Sequence, residues 1–136
     1  MTRFWITIED GVNFVMSCLG IMSGGEIFVP KIPSMKITKI ASLIAPDHKQ
    51  VEVGIRPGEK LHEVMITRDD AINTIEMHDR YVILPSIRFN AKKHVQKYSG
   101  NSVPEDFHYA SDTNVNWMIE GEFMALLEKY VSRSQT

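Results

Sequence analysis

The segment from Arg56 to Glu59 contains the residues best suited to bind a ligand. Alternating apolar residues predict a strand over residues 51–55, which delivers an arginine to its C-terminal end. The dipeptide Pro57-Gly58 predicts a turn that places a carboxylate three residues after the arginine. A guanidinium can donate two hydrogen bonds to phosphate oxygens, and a carboxylate can accept hydrogen bonds from sugar hydroxyls. The spacing therefore suits a diphosphate joined to a ribose, although ordinary turns with charged ends share this spacing and are commoner.

The sequence lacks the motifs that most catalytic and cofactor sites require. It contains no glycine-rich nucleotide loop and no serine in a Gly-x-Ser-x-Gly turn. The five histidines never recur at the i+3 or i+4 spacing of a helical zinc site. The single cysteine, Cys18, excludes an internal disulfide and is expected to be a packed thiol. We therefore predict no catalytic, cofactor-binding or metal-binding residue in the chain.

Composition indicates an ordinary globular protein. The chain has 136 residues, 43% of them hydrophobic and 24% charged, and a net charge of -2. This charge gives no reason to expect a nucleic acid or an anionic membrane as partner. No apolar run approaches the roughly 18 residues that span a bilayer, and no signal peptide is recognisable. We expect one domain over residues 1–136, a disordered tail over 132–136, and a cytoplasmic location.

Apolar periodicity predicts an α/β or α+β fold with a small sheet. Thr7, with an acid three residues later at Asp10, is typical of the first turn of a helix. Strands are predicted over residues 27–29, 51–55 and 81–84, and further helices over 37–44, 61–65 and 123–130. The stretch 67–79 is predicted to be loop with one turn of helix, and the stretch 86–112 to be polar loop. The residues expected to pack together are Ile27, Val51, Val53 and Ile55 on the sheet, and Val12, Val15 and Leu19 on the first helix.

Several segments carry a family resemblance that covers nearly the whole chain. They are Met1–Thr7, Gly24–Ile37, Arg56–Glu63, Val82–Pro85 and Ser111–Asn114 before Trp117. Together they closely resemble the UDP-N-acetylglucosamine 4,6-dehydratases of the extended short-chain dehydrogenase superfamily. The likeness is greatest to the inverting enzymes, which act in bacterial polysaccharide and pseudaminic acid biosynthesis. Ile119 and Gly121 depart from the family, which tends to place a Ser or Thr cap in this region.

The resemblance implies a substrate-binding domain that lacks the Rossmann domain of the family. In that family the N-terminal Rossmann domain binds NADP and supplies the catalytic residues, and nothing in this sequence matches it. The matching residues imply that Arg56 binds the diphosphate of a UDP-sugar and that Glu59 binds its ribose. Arg3 is similar to a second phosphate-binding arginine. By this resemblance the chain binds UDP-sugar weakly and is inactive by itself.

The sequence leaves two other functions open and also predicts an oligomeric state. The chain is alternatively a standalone binding or assembly protein that kept the fold without nucleotide-sugar chemistry. A small enzyme of new activity is the weakest hypothesis, because no nucleophile or base stands out. We expect a homo-oligomer, most simply a two-fold dimer, because an isolated substrate domain exposes an apolar face and the strand at residues 81–84 offers an unpaired edge. A monomer whose loop 86–112 covers that face is the alternative.

Overall fold

The computed structural model describes residues 1–85 and 98–133, which form two compact units. The first unit consists of Met1–Trp5, Pro33–Glu63 and Ser111–Thr136. The second unit consists of Ile6–Ile32 and Val64–Ala110. The chain passes between the units several times, so neither is one continuous segment. The single domain expected over residues 1–136 stays a prediction.

The described residues contain short strands and helices in mixed order. The strands are β1 (Thr2–Phe4), β2 (Ile27–Pro30), β3 (Ser34–Lys36), β4 (Val64–Ile66), β5 (Thr74–Glu76), β6 (Arg80–Ile83), β7 (Asn101–Ser102) and β8 (Tyr109–Ala110). The helices are α1 (Ile8–Ile21), α2 (Ile37–Ile44), α3 (Arg68–Ala71) and α4 (Glu120–Arg133). All pairs of these strands are antiparallel, so the expected mixed class is confirmed in its α+β form.

The first unit packs two helices and the antiparallel pair β1–β3 around a small apolar core. Met35, Ile40 and Phe123 are buried at its centre. The Trp5 ring meets the Phe123 ring edge-on, with centroids 5.4 Å apart and planes at 87°. Leu127 lies one turn beyond Phe123 on α4 and packs against the same cluster. The helices predicted over residues 37–44 and 123–130 are confirmed.

Helix α4 begins without a Ser or Thr cap. The Glu122 carboxylate instead accepts a hydrogen bond of 3.2 Å from the Ile119 backbone N–H. This bond satisfies one of the donors that a helix N-terminus leaves open. At its other end the helix continues to Arg133, so the first two residues of the tail predicted over 132–136 are helical. Residues 134–136 lie outside the described residues.

The second unit contains a four-stranded antiparallel sheet in the order β2-β6-β5-β7. Val29 pairs with Tyr81, and Ile75 pairs with Val82. Strand β6 therefore has a partner on both sides, and Val82 is fully buried. The predicted strand at residues 81–84 is confirmed, but the expectation that it forms an unpaired edge is wrong. The helix predicted over residues 61–65 is wrong: residues 61–63 are irregular, and residues 64–66 form β4, which pairs with β8.

The N-terminus of α1 is capped as the sequence predicts. Thr7 Oγ1 accepts a hydrogen bond of 3.0 Å from the Asp10 backbone N–H. The same hydroxyl donates to Asp10 Oδ2 at 2.6 Å. This exchange satisfies open donors at the helix start and puts an acid near the positive end of the helix dipole.

The face by which α1 joins its unit differs from the predicted one. Arg80 on β6 is buried, and its Nη1 and Nη2 donate to Cys18 Sγ at 3.1 Å and to Ser17 Oγ at 2.9 Å. The guanidinium also lies 4.8 Å from the centre of the Phe14 ring. Ile21 packs against the buried cluster of the sheet. These residues recur at helical spacing and form the inner face of α1, so Cys18 is a packed thiol as predicted.

The predicted inner face of α1 is exposed. Val12, Val15 and Leu19 are 56%, 57% and 57% exposed. Helix α1 carries two apolar stripes, and the one that includes Phe14 and Ile21 packs in the core because it also offers a polar contact to Arg80. The predicted packing of Val12, Val15 and Leu19 is therefore wrong.

The strand predicted over residues 51–55 is also wrong. This segment is irregular, and Val51, Val53 and Ile55 are 72%, 83% and 58% exposed. Gly54 has a φ of 82°, which interrupts the extended backbone that a strand requires. Ile27, expected in the core, is exposed as well, at the start of β2, which pairs on one side with β6 among the described residues.

A charged hydrogen-bond cluster connects the end of α1 to Tyr98 in the second unit. The Glu26 carboxylate accepts hydrogen bonds from the Tyr98 hydroxyl at 2.6 Å and from the backbone N–H of Gly24 and Ser23 at 2.7 and 3.1 Å. Burial by itself would raise the pKa of Glu26, but these hydrogen bonds outweigh it and lower the pKa from 4.5 to about 2. Burial and the bond to Glu26 raise the pKa of Tyr98 to about 12.

We predict that Glu26→Gln lowers the free energy of unfolding at pH 7 by about 1–2 kcal/mol, because charged hydrogen bonds are lost. The folded pKa of Glu26 lies below its ordinary value, so its stabilisation is complete above pH 4.5 and is lost as the pH falls towards 2. Chemical denaturation between pH 2 and 7 measures both effects. Glu105→Gln, at an exposed position of the same unit, is the control. Equal stability changes for the two variants across this range would contradict the assignment.

Candidate functional site

Arg56, Pro57, Gly58 and Glu59 form the predicted turn. The Glu59 backbone N–H donates to the Arg56 carbonyl at 3.0 Å, and Gly58 has a φ of 81°. Proline at the second position and a positive φ at the third are the features of a type II turn. All four residues are exposed. Gly58 supplies the left-handed backbone that other residues rarely adopt, so the turn follows from the sequence itself.

The two charged ends of the turn are brought together. Glu59 Oε2 accepts a hydrogen bond of 3.1 Å from the Arg56 backbone N–H, which holds the carboxylate beside the start of the turn. Among the described residues the Arg56 guanidinium forms no ion pair. A cationic and an anionic group therefore stand on one exposed turn, and the cation is not held in a buried structural pair.

Arg3 lies against the segment that follows the turn. Its Nη2 donates to the Lys60 carbonyl at 2.8 Å, and its Nη1 donates to the carbonyls of Thr2 and Leu61 at 2.7 and 3.3 Å. Its Nε lies 3.3 Å from Glu63 Oε1. All three nitrogens of this guanidinium are thus engaged by protein oxygens.

A buried hydroxyl pair underlies the same segment. Thr2 Oγ1 and Ser111 Oγ share a hydrogen bond of 2.7 Å, and the two residues are 4% and 0% exposed. Thr2 Oγ1 is also 2.8 Å from His62 Nδ1. Ser111 Oγ accepts a hydrogen bond of 2.9 Å from the Glu63 N–H, and the Ser111 N–H donates to the Glu63 carbonyl at 2.8 Å. No sequence motif predicts these contacts of Thr2, His62 and Ser111; the only signal in the sequence is their place in the segments that resemble the family.

The exposed turn carries a guanidinium and a carboxylate, groups that can bind an anion and hydroxyls respectively. Across residues 1–85 and 98–133 no cluster of three or more His, Cys, Asp or Glu is placed to hold a metal ion. The adjacent acids Asp69 and Asp70 form no pair, since the Asp70 carboxylate caps α3 through Thr67. No helix within this described part is long and apolar enough to cross a membrane.

Known proteins are similar to this chain in sequence and in fold. Residues 1–85 match the family described as "Polysaccharide biosynthesis protein". Two inverting UDP-N-acetylglucosamine 4,6-dehydratases of Campylobacter jejuni are 48% and 46% identical over 132 residues, which is 93% of this chain. A UDP-glucose 4-epimerase of Rickettsia canadensis is 28% identical over 98% of the chain and 34% of its own length. The chain spans 40% of the length of the two dehydratases.

A solved structure supports the fold independently. It is described as "X-ray structure of Pen from Bacillus thuringiensis", and it superposes with a TM-score of 0.73 over 96% of this chain and 38% of its own. At 23% sequence identity this likeness concerns the fold alone. The family match covers more than half of the chain, and the predicted resemblance to the dehydratases is confirmed by their identity. The chain therefore belongs to the polysaccharide biosynthesis protein family.

Proposed function

We propose that the chain is the UDP-sugar-binding part of a UDP-N-acetylglucosamine 4,6-dehydratase that acts in surface-glycan biosynthesis. The observation that supports it is the exposed turn bearing Arg56 and Glu59, in a chain 48% identical to such a dehydratase. Binding of a nucleotide sugar by this chain, and its cytoplasmic location, are parts of the proposal.

Arg56 and Glu59 bind different parts of the nucleotide sugar in this proposal. The Arg56 guanidinium binds diphosphate oxygens, since a planar cation with forked N–H groups matches that geometry. The Glu59 carboxylate accepts hydrogen bonds from ribose hydroxyls while its Oε2 keeps the bond to the Arg56 backbone. Because the turn is exposed, the ligand gains little burial, and weak affinity follows. Arg3, expected from the sequence to bind a second phosphate, would have to give up bonds to Lys60 or Leu61 to do so.

The described residues do not fit a dinucleotide cofactor. Such a cofactor places its pyrophosphate at a helix N-terminus that follows a glycine-rich turn. Helices α1, α2, α3 and α4 begin after Thr7, Lys36, Thr67 and Ile119, and none of these starts follows a glycine-rich turn. The described glycines with positive φ lie after α1 or in the segment 54–58. We therefore propose that NADP, which the family resemblance assigns to an N-terminal domain, is not bound by these residues.

A standalone assembly protein is the second candidate function. The observation that favours it is the outer stripe of α1, defined as Ile8, Val12, Val15, Met16 and Leu19, which are all more than half exposed. An apolar stripe on one helix face commonly marks a protein contact. We propose a two-fold dimer in which α1 pairs antiparallel with its copy. A two-fold axis places the outer stripe of each chain against the same stripe of its copy.

We predict that the chain binds UDP and UDP-N-acetylglucosamine at up to millimolar concentration, and that Arg56→Ala weakens UDP about tenfold, because a charged hydrogen bond is lost. The affinity for uridine is expected to be unchanged in this variant. Glu59→Gln, by contrast, is expected to lower the affinities for uridine and for UDP equally. Isothermal calorimetry measures both. Arg68→Ala, which removes an exposed arginine from α3, is the control and leaves all affinities unchanged. No heat with either nucleotide at millimolar concentration would favour the standalone assembly protein.

We predict that the chain shows neither NADP binding nor dehydratase turnover, because hydride transfer requires a cofactor held against the sugar. Fluorescence titration with NADPH and chromatography of UDP-N-acetylglucosamine after incubation with NADP test the two statements. Formation of a 4-keto sugar by this chain alone would overturn the second.

We predict a mass of twice 15.5 kDa in light scattering at micromolar concentration. Val15→Lys should shift the mass to that of one chain, because it places a charge in the outer stripe. Ile72→Lys, also at an exposed apolar position of the second unit, is the control and keeps the dimer. A single-chain mass for the unmodified protein contradicts the proposed dimer.

A further inference from the structure

Three side chains of the first unit form one chain of hydrogen bonds. Ser111 Oγ lies 2.7 Å from Thr2 Oγ1, and Thr2 Oγ1 lies 2.8 Å from His62 Nδ1. Both hydroxyl residues are buried, and His62 is half-buried at the other end of the chain. Ser111 Oγ also accepts a hydrogen bond of 2.9 Å from the Glu63 backbone N–H. The two hydroxyls therefore connect an imidazole, which can gain a proton, to the backbone of the residue that follows it.

The number of donors decides the direction of this chain when His62 is neutral. Each hydroxyl has one proton to donate, and a neutral imidazole has one protonated and one unprotonated nitrogen. Ser111 Oγ can donate to Thr2 Oγ1 at 2.7 Å or to the Thr2 carbonyl at 3.3 Å. That carbonyl already accepts a hydrogen bond of 2.7 Å from Arg3 Nη1, so the shorter bond to the hydroxyl is favoured. Thr2 Oγ1 then donates its own proton to His62 Nδ1.

Protonation of His62 Nδ1 forces the opposite direction. A protonated Nδ1 can only donate, so Thr2 Oγ1 becomes its acceptor and must donate to Ser111 Oγ instead. Ser111 Oγ would then accept from both Thr2 and the Glu63 N–H, and its own proton is left with the Thr2 carbonyl at 3.3 Å. The reversed chain thus replaces a short donor bond of Ser111 by a long bond to an acceptor that is already occupied.

We propose that His62 is the acid-sensitive end of a reversible hydroxyl chain that holds the backbone at Glu63. With His62 neutral, the chain runs from Ser111 through Thr2 to Nδ1. With His62 protonated, it runs the other way and holds Ser111, and with it the Glu63 N–H, less firmly. Residues 60–63 directly follow the exposed turn, so the same protonation loosens the attachment of that turn. The proposal concerns the free chain and does not depend on UDP binding.

A non-titrating variant separates His62 from the other charged groups on the segments that contact it. These groups are the Met1 amino group and Arg3 at β1, Glu59, Lys60 and Glu63 beside His62, and Asp112 after Ser111. His62→Asn removes the imidazole and leaves them in place, so their titration is common to both proteins. The asparagine Oδ1 accepts a hydrogen bond at the place of Nδ1 and does not titrate. His48→Asn, at an exposed histidine of the same unit, is the control.

The first measurement is a long-range ¹H–¹⁵N correlation spectrum of the full chain, which shows which ring nitrogen carries the proton. At alkaline pH the neutral ring of His62 should carry its proton on Nε2, because Nδ1 accepts from the Thr2 hydroxyl. In Thr2→Val, which lacks the hydroxyl, the fraction protonated on Nδ1 should rise. Thr2→Ser, which keeps the hydroxyl, should return it to the unmodified value. A neutral ring protonated mainly on Nδ1 in the unmodified chain would overturn the proposal.

The second measurement is hydrogen exchange at the Glu63 amide, expressed as a protection factor so that the intrinsic pH dependence of exchange is removed. In the unmodified chain and in His48→Asn this factor should fall about fivefold from pH 8 to pH 5, because one hydrogen bond is weakened. In His62→Asn, or in His62→Gln as a second non-titrating variant, it should stay constant. Protection in β3 and α4 should stay constant throughout and shows that the unit remains folded. No fall in the unmodified chain, or an equal fall in the His62 variants, contradicts the proposal.

Discussion

The hydroxyl of Ser111 joins three distant parts of the chain at one buried point. The hydroxyl forms hydrogen bonds with the Thr2 hydroxyl of β1 and with the Glu63 backbone N–H. The backbone N–H of Ser111 donates to the Glu63 carbonyl. A buried polar group that loses its partner costs on the order of 1–3 kcal/mol, so this junction tolerates few alternative arrangements. The path of residues 60–63, and with it the place of the Arg56 turn, depends on the junction.

Three arginines of this protein differ in their hydrogen-bond partners. Arg80 is buried and holds α1 to the sheet through Ser17, Cys18 and Phe14. Arg3 is likewise occupied by protein oxygens, whereas Arg56 is exposed on its turn. Among the described residues, the guanidinium of Arg56 forms no ion pair, whereas those of Arg3 and Arg80 are bound by protein atoms. Sequence position alone does not reveal this difference, because each arginine is followed or preceded by ordinary turn or strand residues.

Local signals predicted the elements whose hydrogen bonds are local. The Thr7–Asp10 cap, helices α2 and α4, and the Pro57-Gly58 turn all depend on residues within a few positions of one another. The short strands β3, β4, β5, β7 and β8 were missed, because strands of two or three residues are defined by partners far away in sequence. The choice between the two apolar stripes of α1 depended on Arg80, sixty-two positions after Cys18. For the site, the turn was predictable, but the bonds of Arg3 cross 57 and 58 positions and were not.

The junction at Ser111 also has a consequence for how the protein folds during synthesis. Both the β1 strand and the Arg56 turn leave the ribosome before Ser111 does, because chains are made from the N-terminus. The hydroxyl that completes their shared network is added about fifty residues after the turn. Until then Thr2 and Glu63 lack this partner, and closing so long a loop carries an entropy cost. The turn from Arg56 to Glu59 is therefore synthesised early, whereas the hydrogen-bond network that holds the segment after it is completed late.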